Sequence, residues 1–388
     1  MSGSLIHDGR RSGHHSWATQ AVASSAASGA FISPFATPRF NVPRYSKALD
    51  FSQLIAGAGG EVIMDPMTHA FLLPGSNKTD LYDTWELWGG ADGDLGSRLK
   101  VQQHVERVFA RQDEIEAPHL APTVSVDAPG SPSAQLALLI AEVAVGIDPT
   151  SWQALAAPRT FWRSGALLDD HVGRLVALRS PVWVLTVTNE MVLDNVPDLS
   201  DLEAFEGFLR TVHSLSGRSR VIVSFADYAG LLAVAAGADS IGAGWDRGMR
   251  HFDPASFHID SDPGIRIPAS YVTQKALSAV LRRDAAVAIE TWDPKEATRI
   301  RGGGMPPSDP AERLHHLGTL RDLINQFDAI SDRGLRVAAV RLHYENAVSD
   351  FDRLIADLSP SIRVTDRDAW TKPHLQILER YAVAEGLW

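Results

Sequence analysis

Carboxylates and possible substrate-binding side chains stand where apolar runs of the chain end. A carboxylate follows or closes each of six such runs, namely Asp65, Asp127, Glu190, Asp227, Asp246 and Glu290. Carboxylates that are brought together repel one another, so at least one should have a raised pKa and could act as a general acid. The sequence predicts Glu190, Asp127, Glu290 and Asp65 as catalytic residues. It predicts a substrate-binding set of Asn189, Asp227, Trp245, Arg247 and His69.

The elements that would position these residues are clearest between residues 181 and 247. Apolar runs at 182–188, 220–225 and 239–244 alternate there with two stretches of helical pattern. Strands that are apolar along their whole length indicate a parallel sheet, whose carboxyl ends carry the chemistry in barrel and open α/β folds. We therefore expect an α/β fold of the (β/α)8 TIM-barrel type, complete or incomplete. A doubly wound open sheet is the alternative.

Three regions follow from composition and pattern. Residues 1–30 are rich in Ser, Ala, Gly and His, which predicts a flexible N-terminal arm. Residues 31–300 are predicted to form the barrel domain, with its first strand at 61–65 and a long insertion at 66–120. Residues 301–388 are predicted to form a helical region that completes the barrel or packs on it, with a last strand at 335–342.

Charge and cysteine content exclude several functions. The net charge of −11 over 388 residues disfavours a broad nucleic-acid-binding surface. The chain has no cysteine, which excludes disulfides, thiol nucleophiles and Cys-based metal sites and fits a cytoplasmic protein. No apolar run reaches the roughly 18 residues of a membrane span. We predict no required cofactor, although a divalent metal among the strand-end acids stays open.

Two short motifs carry resemblances to known families. The pair Asn189-Glu190 after one apolar run, and Glu290 after another, resembles the retaining glycosidases built on (β/α)8 barrels. That resemblance implies Glu190 as acid/base and Glu290 as nucleophile, with the two carboxyl groups about 5–5.5 Å apart. The unit at 219–244 resembles tRNA-guanine transglycosylase-like barrels, in which a strand-end Asp attacks a sugar carbon. The cysteine-rich zinc site of that family is absent here.

Two functional hypotheses result. The first is a barrel enzyme that uses strand-end carboxylates on a small polar substrate, by cleavage or transfer at a glycosidic bond. The second is a non-catalytic barrel that serves as a binding or structural subunit. In that case the N-terminal arm would contact a partner protein or a second copy of the chain.

Overall fold

The central element is a parallel sheet whose first and last strands along the chain are neighbours. A computed structural model describes residues 3–188, 196–246, 249–259 and 270–387. Seven strands lie in the order β3-β2-β1-β7-β6-β5-β4. They are β1 Gly3–His7, β2 Gly29–Ile32, β3 Glu61–Met64, β4 Gln153–Pro158, β5 Val182–Thr188, β6 Arg220–Ser224 and β7 Ser240–Gly244. A separate antiparallel pair is formed by β8 Tyr271–Gln274 and β9 Ala279–Arg282.

Helices connect the strands and form the C-terminal part of the described chain. Those before β8 are α1 His14–Ala23, α2 Ala48–Gly57, α3 Thr68–Phe71, α4 Arg98–Asp113, α5 Pro132–Ile147, α6 Arg159–Trp162, α7 Ala166–Ala177, α8 Leu202–Ser216 and α9 Leu231–Ala236. Those after β9 are α10 Arg283–Trp292, α11 Pro294–Arg301, α12 Asp309–Asp328, α13 Arg333–Leu358 and α14 Val364–Ala384. None of the described helices is both long and apolar enough to cross a membrane.

The strand order places the helices on one side of the sheet. From β1 to β3, and again from β4 to β7, each new strand is added on the same side of the strand before it, so both series run in one direction across the sheet. Crossovers between parallel strands are right-handed, so steps in one direction leave their helices on one face. The opposite face carries a separate apolar cluster to which no described helix contributes. It consists of Leu5, Phe31, Ile63, Leu120, Val182, Val184 and Ile222. The sheet is therefore curved around its own apolar face.

An ionic contact spans the concave side at the start of the strands. Arg220 of β6 makes two hydrogen bonds to the Glu61 carboxylate of β3, at 2.5 and 2.8 Å, although three strands separate β3 from β6. The same guanidinium donates to Asp239 at 2.8 Å. The contact joins the two halves of the curved sheet.

The α/β class and the parallel sheet are confirmed, in the form of a seven-stranded half-barrel. The ladder is not a complete (β/α)8 barrel. The predicted strand at 122–127 is not a full ladder strand, because this part of the chain is joined to β4 only by the bridges Leu120–Trp152 and Ser125–Ala156. Parallel strands joined by crossover connections occur in both folds expected from the sequence, the (β/α)8 barrel and the doubly wound open sheet.

The prediction of a flexible arm at 1–30 is wrong. Residues 3–7 and 29–32 are strands buried in the sheet, and β1 pairs with both β2 and β7. They are therefore not free to serve as a docking arm. Small residues are needed here because strands approach closely: a Cβ on Gly29 would collide with the Glu61 carbonyl. The strand at 61–64 is consequently the third along the chain, and the long insertion follows β3.

The predicted strand at 335–342 is also wrong. It lies inside α13, where Val337, Val340, Tyr344 and Ala347 are buried at helical spacing. Residues 285–290, read as a strand or a helix, belong to α10. β-Branched residues in a short apolar run do not distinguish a buried strand from the buried face of a helix.

Candidate active site

A cavity of about 420 Å³ opens at the carboxyl ends of the strands. Its walls come from residues that follow β1, β2, β3 and β7, and from the start of the loop after β6. A short 3-10 helix, Pro254–Phe257, covers one side. The lining includes His7, Asp8, Arg10, Arg11, Ser33, Asp65, Lys78, Phe225, Asp246 and Ser256. Polar groups from distant parts of the chain therefore converge on one space at the edge where α/β proteins place their chemistry.

His7 forms part of the cavity wall as a neutral imidazole. Its ring is stacked between Phe31 and Phe225, with centroid separations of 4.6 and 3.6 Å. Burial lowers the pKa of His7 to about 3. Its Nε2 accepts a hydrogen bond from the Phe225 N–H at 2.9 Å, so the ring proton must reside on Nδ1. The residue is thus a hydrogen-bond donor of fixed orientation and no charge.

The backbone around His7 is built for that orientation. A Cβ on Gly242 of β7 would collide with His7 Nε2 and lie 2.9 Å from the Phe225 nitrogen. Phe225 and Asp227 have φ angles of +51° and +47°, which side chains other than glycine rarely adopt. Such strained positions concentrate at functional sites, where the surrounding structure holds them.

Asp65 is a buried carboxylate directly after β3. Its side chain accepts a hydrogen bond from the Met67 N–H at 2.8 Å, and Met67 itself has a φ angle of +52°. The turn between β3 and α3 therefore fixes the carboxyl group against the wall of the cavity.

Asp246 is the second strand-end acid in the cavity, two residues after β7. Burial raises its pKa, although Arg11 and Arg313 lie 2.5 and 4.0 Å away. Arg11 is largely exposed, with 62% of its side-chain surface accessible, so its contact stabilises the carboxylate only weakly. Asp246 is therefore better suited than an ordinary surface carboxylate to hold and deliver a proton.

Two predicted acids are engaged away from the cavity. Asp127 is exposed and accepts a hydrogen bond from Ser133 at 2.9 Å. Glu290 lies on α10 and pairs with the buried Arg301 at 2.5 Å. Neither lines the cavity, so the structure does not bring these two predicted catalytic residues together with Asp65.

Asp227 is likewise absent from the cavity lining. It accepts a hydrogen bond from His316 Nε2 at 2.8 Å, and this contact together with the Arg250 guanidinium holds the Asp227 pKa below its usual range despite burial. His316 Nδ1 in turn lies 2.9 Å from the Thr273 hydroxyl, which is fully buried. This chain orders α12 against β8 and leaves Asp227 no role at the cavity wall.

The predicted binding side chains His69 and Trp245 are packed. His69 is buried 5.1 Å from the ring of Phe252. Trp245 makes an edge contact with Trp17 at 4.8 Å, and the Arg313 guanidinium lies 4.1 Å from its ring centre. One face of this half-buried ring is therefore covered by the guanidinium. The predicted residues Asn189, Glu190 and Arg247 lie outside the described residues.

Sequence reasoning missed His7 and Lys78. His7 ends β1 and the polar stretch 8–11 follows it directly, which is the signal used elsewhere in the chain. However, β1 is short and lies in a segment rich in Ser, Ala, Gly and His. Lys78 lies in the insertion and has no motif around it. Within the described ranges, no three His, Asp or Glu side chains are grouped so that they could hold a metal ion.

Comparison with known proteins yields little. No protein-family model matches the sequence, and no curated protein matches it significantly. Among solved structures, catalytic-site mutants of active domain 2 of chitinase from Pyrococcus furiosus align over 63% of this chain and 84% of theirs, with 12% identity and a TM-score of 0.36. A probable tagatose 6 phosphate kinase from Sinorhizobium meliloti 1021 aligns over 100% of this chain and 99% of its own, with 13% identity and a TM-score of 0.34. TM-scores this low establish neither a shared fold nor a shared activity.

Proposed function

We propose that this protein is an enzyme that binds a small polar substrate in the strand-end cavity and cleaves or transfers at a glycosidic bond. The observation that carries the proposal is that Asp65 and Asp246, which line the cavity together with Asp8, lie in different environments. Asp246 is half-buried with a raised pKa and shares the cavity with a second carboxylate, and glycosidic chemistry uses two carboxyl groups in different environments.

The two acids have distinct roles in this proposal. Asp246 donates its proton to the leaving oxygen or nitrogen as the bond to the sugar carbon breaks. Asp65 stabilises the positive charge that develops on that carbon. The oxygen of water or of an acceptor hydroxyl then bonds to the carbon and gives its proton to the Asp246 carboxylate, which restores the acid. His7 donates from Nδ1 to a substrate oxygen and orients the sugar without adding charge.

We also propose that residues 120–126 complete the sheet as an eighth strand between β3 and β4. The side-chain amide of Gln112 supports this, because it donates to the Met64 carbonyl at 3.0 Å and to the Leu120 carbonyl at 2.9 Å. Leu120 belongs to the inner apolar cluster together with residues of β1, β2, β3, β5 and β6. A closed barrel would bring all strand ends around one mouth.

The experiment compares turnover of aryl glycosides and of nucleosides by the wild type and by Asp65→Asn and Asp246→Asn. Each substitution keeps the shape of the side chain, and each should lower kcat by about 10²–10⁴-fold. Asp127→Asn is the matched control, since Asp127 is exposed and outside the cavity. Circular dichroism verifies the fold of each variant.

The same assay tests the prediction for Glu190. Loss of turnover in Glu190→Gln, with full activity in both cavity variants, would contradict the roles given to Asp65 and Asp246. Absence of turnover of both substrate classes by the wild type would contradict the proposed reaction.

A further inference from the structure

We infer that the cavity contains an anion subsite at Lys78, so that the substrate carries a phosphate or carboxylate group in addition to the sugar. This inference rests on the proposed function, because it assigns the substrate class of the same cavity. Its central observation is a lysine that lines the cavity and forms no ion pair with any residue that the structure describes.

Lys78 differs from the other cations of the cavity. Arg10 makes two hydrogen bonds to Asp80, at 2.6 and 3.0 Å, and Arg11 pairs with Asp246. Among the described residues, in contrast, the Lys78 ammonium has a single long hydrogen bond, 3.5 Å to the Ser256 carbonyl. No carboxylate of the described residues pairs with it, so its charge remains available to a ligand.

The surroundings make the unpaired charge costly. The side chain is half-buried, and burial followed by the nearby charge of Arg10 lowers the pKa of Lys78. Asp80 opposes this shift only partly, because it is already bound to Arg10. An anionic ligand would offset both effects, since an opposite charge close to a partly desolvated ammonium favours its protonated form.

The ammonium is not needed to hold the loops of the cavity together. The N–H groups of Asn77 and Lys78 both donate to the Phe257 carbonyl at 3.2 Å. The Asn77 side chain accepts from the Ile259 N–H at 2.6 Å. The backbone of the segment around Lys78 is thus attached to the covering 3-10 helix. The ammonium is not needed for that attachment.

The cavity suits a substrate with two chemically different ends. Asp65 and Asp246 supply carboxyl groups for the sugar, whereas Lys78 supplies a positive charge beside Ser256. The net charge of the chain is −11, so a site for an anion has to be local. Phosphate and carboxylate oxygens share the chemistry that an ammonium recognises.

The test is calorimetric titration of the full chain with inorganic phosphate and, separately, with acetate. The wild type should bind one of the two anions at a single site, and Lys78→Met should weaken that binding at least tenfold. Lys78→Arg should restore it, because the charge returns. Lys47→Met is the control, since Lys47 pairs with Asp50 at 3.6 Å and does not line the cavity, and it should bind like the wild type.

The two anions distinguish the sources, since tighter phosphate binding indicates a phosphorylated sugar and tighter acetate binding a sugar acid. Equal binding by the wild type and Lys78→Met, or no binding of either anion, would overturn the subsite. Turnover of phosphorylated and carboxylated glycosides that is lost in Asp65→Asn but unaffected by Lys78→Met would overturn the subsite and leave the proposed function intact. Lys78-dependent anion binding without any glycosidic turnover would support the subsite and contradict the proposed function.

Discussion

Replacement of Glu312 by glutamine should remove a pH-dependent loss of stability. Glu312 lies in the first turn of α12, and its Oε1 accepts from the Thr273 N–H at 2.7 Å. Oε2 is buried and has no partner among the described residues. Burial raises the pKa of this carboxyl to about 7, so the folded protein holds a proton there that the unfolded chain releases.

The magnitude follows from the two pKa values. The folded-state pKa of about 7 lies above the unfolded value of 4.5, so the stabilising contribution is complete below pH 4.5 and is lost as the pH rises through 7. Integrated from pH 5 to 8, the free energy of unfolding falls by about 2.5 kcal/mol through this one group. Glutamine does not titrate, and the cost of its unpaired amide is independent of pH.

Urea denaturation at pH 5, 6.5 and 8, followed by tryptophan fluorescence, measures the difference between wild type and Glu312→Gln. The variant should gain about 2.5 kcal/mol relative to the wild type over that range, since all other titrating groups are common to both. Glu142→Gln, on an exposed position of α5, should show no such change. A difference that is constant with pH, or that favours the wild type increasingly at high pH, would refute the reasoning.

Three further predictions concern the cavity and the sheet. Gly242→Ala should destabilise the protein by about 1–3 kcal/mol and displace His7, because the added Cβ has no space. Gly57→Ala, at an open helical position, is the control and should be neutral or stabilising in the same denaturation assay. The ¹⁵N shifts of His7 should report a neutral ring protonated on Nδ1 from pH 5 to 8, given its pKa of about 3; titration near pH 6.5 would contradict its burial. Arg220→Met should lower the free energy of unfolding by about 2–3 kcal/mol, because it leaves the half-buried Glu61 carboxylate without its partner. Unchanged stability would show that the contact across the sheet is dispensable.

The sequence by itself determined the regular core of the fold. The strands β5, β6 and β7 fall where apolar β-branched runs were recognised, and α5 begins at its Ser131 cap with Pro132 in the first turn. These elements are readable because their apolar patterns and caps are local properties. The segments β1 and β2 were not readable, since their small residues serve a close approach to neighbouring strands that only the assembled sheet reveals.

The site depended on tertiary structure to a greater degree. The sequence identified Asp65 as a strand-end acid, but it assigned Asp127 and Glu290 to the same site, although both are engaged elsewhere. Which acids face a common cavity is decided by strand order, because β1 pairs with β7 across more than 200 residues of chain. That pairing brings His7 of β1 and Asp246 behind β7 into one space, and no local pattern in the sequence records such a contact.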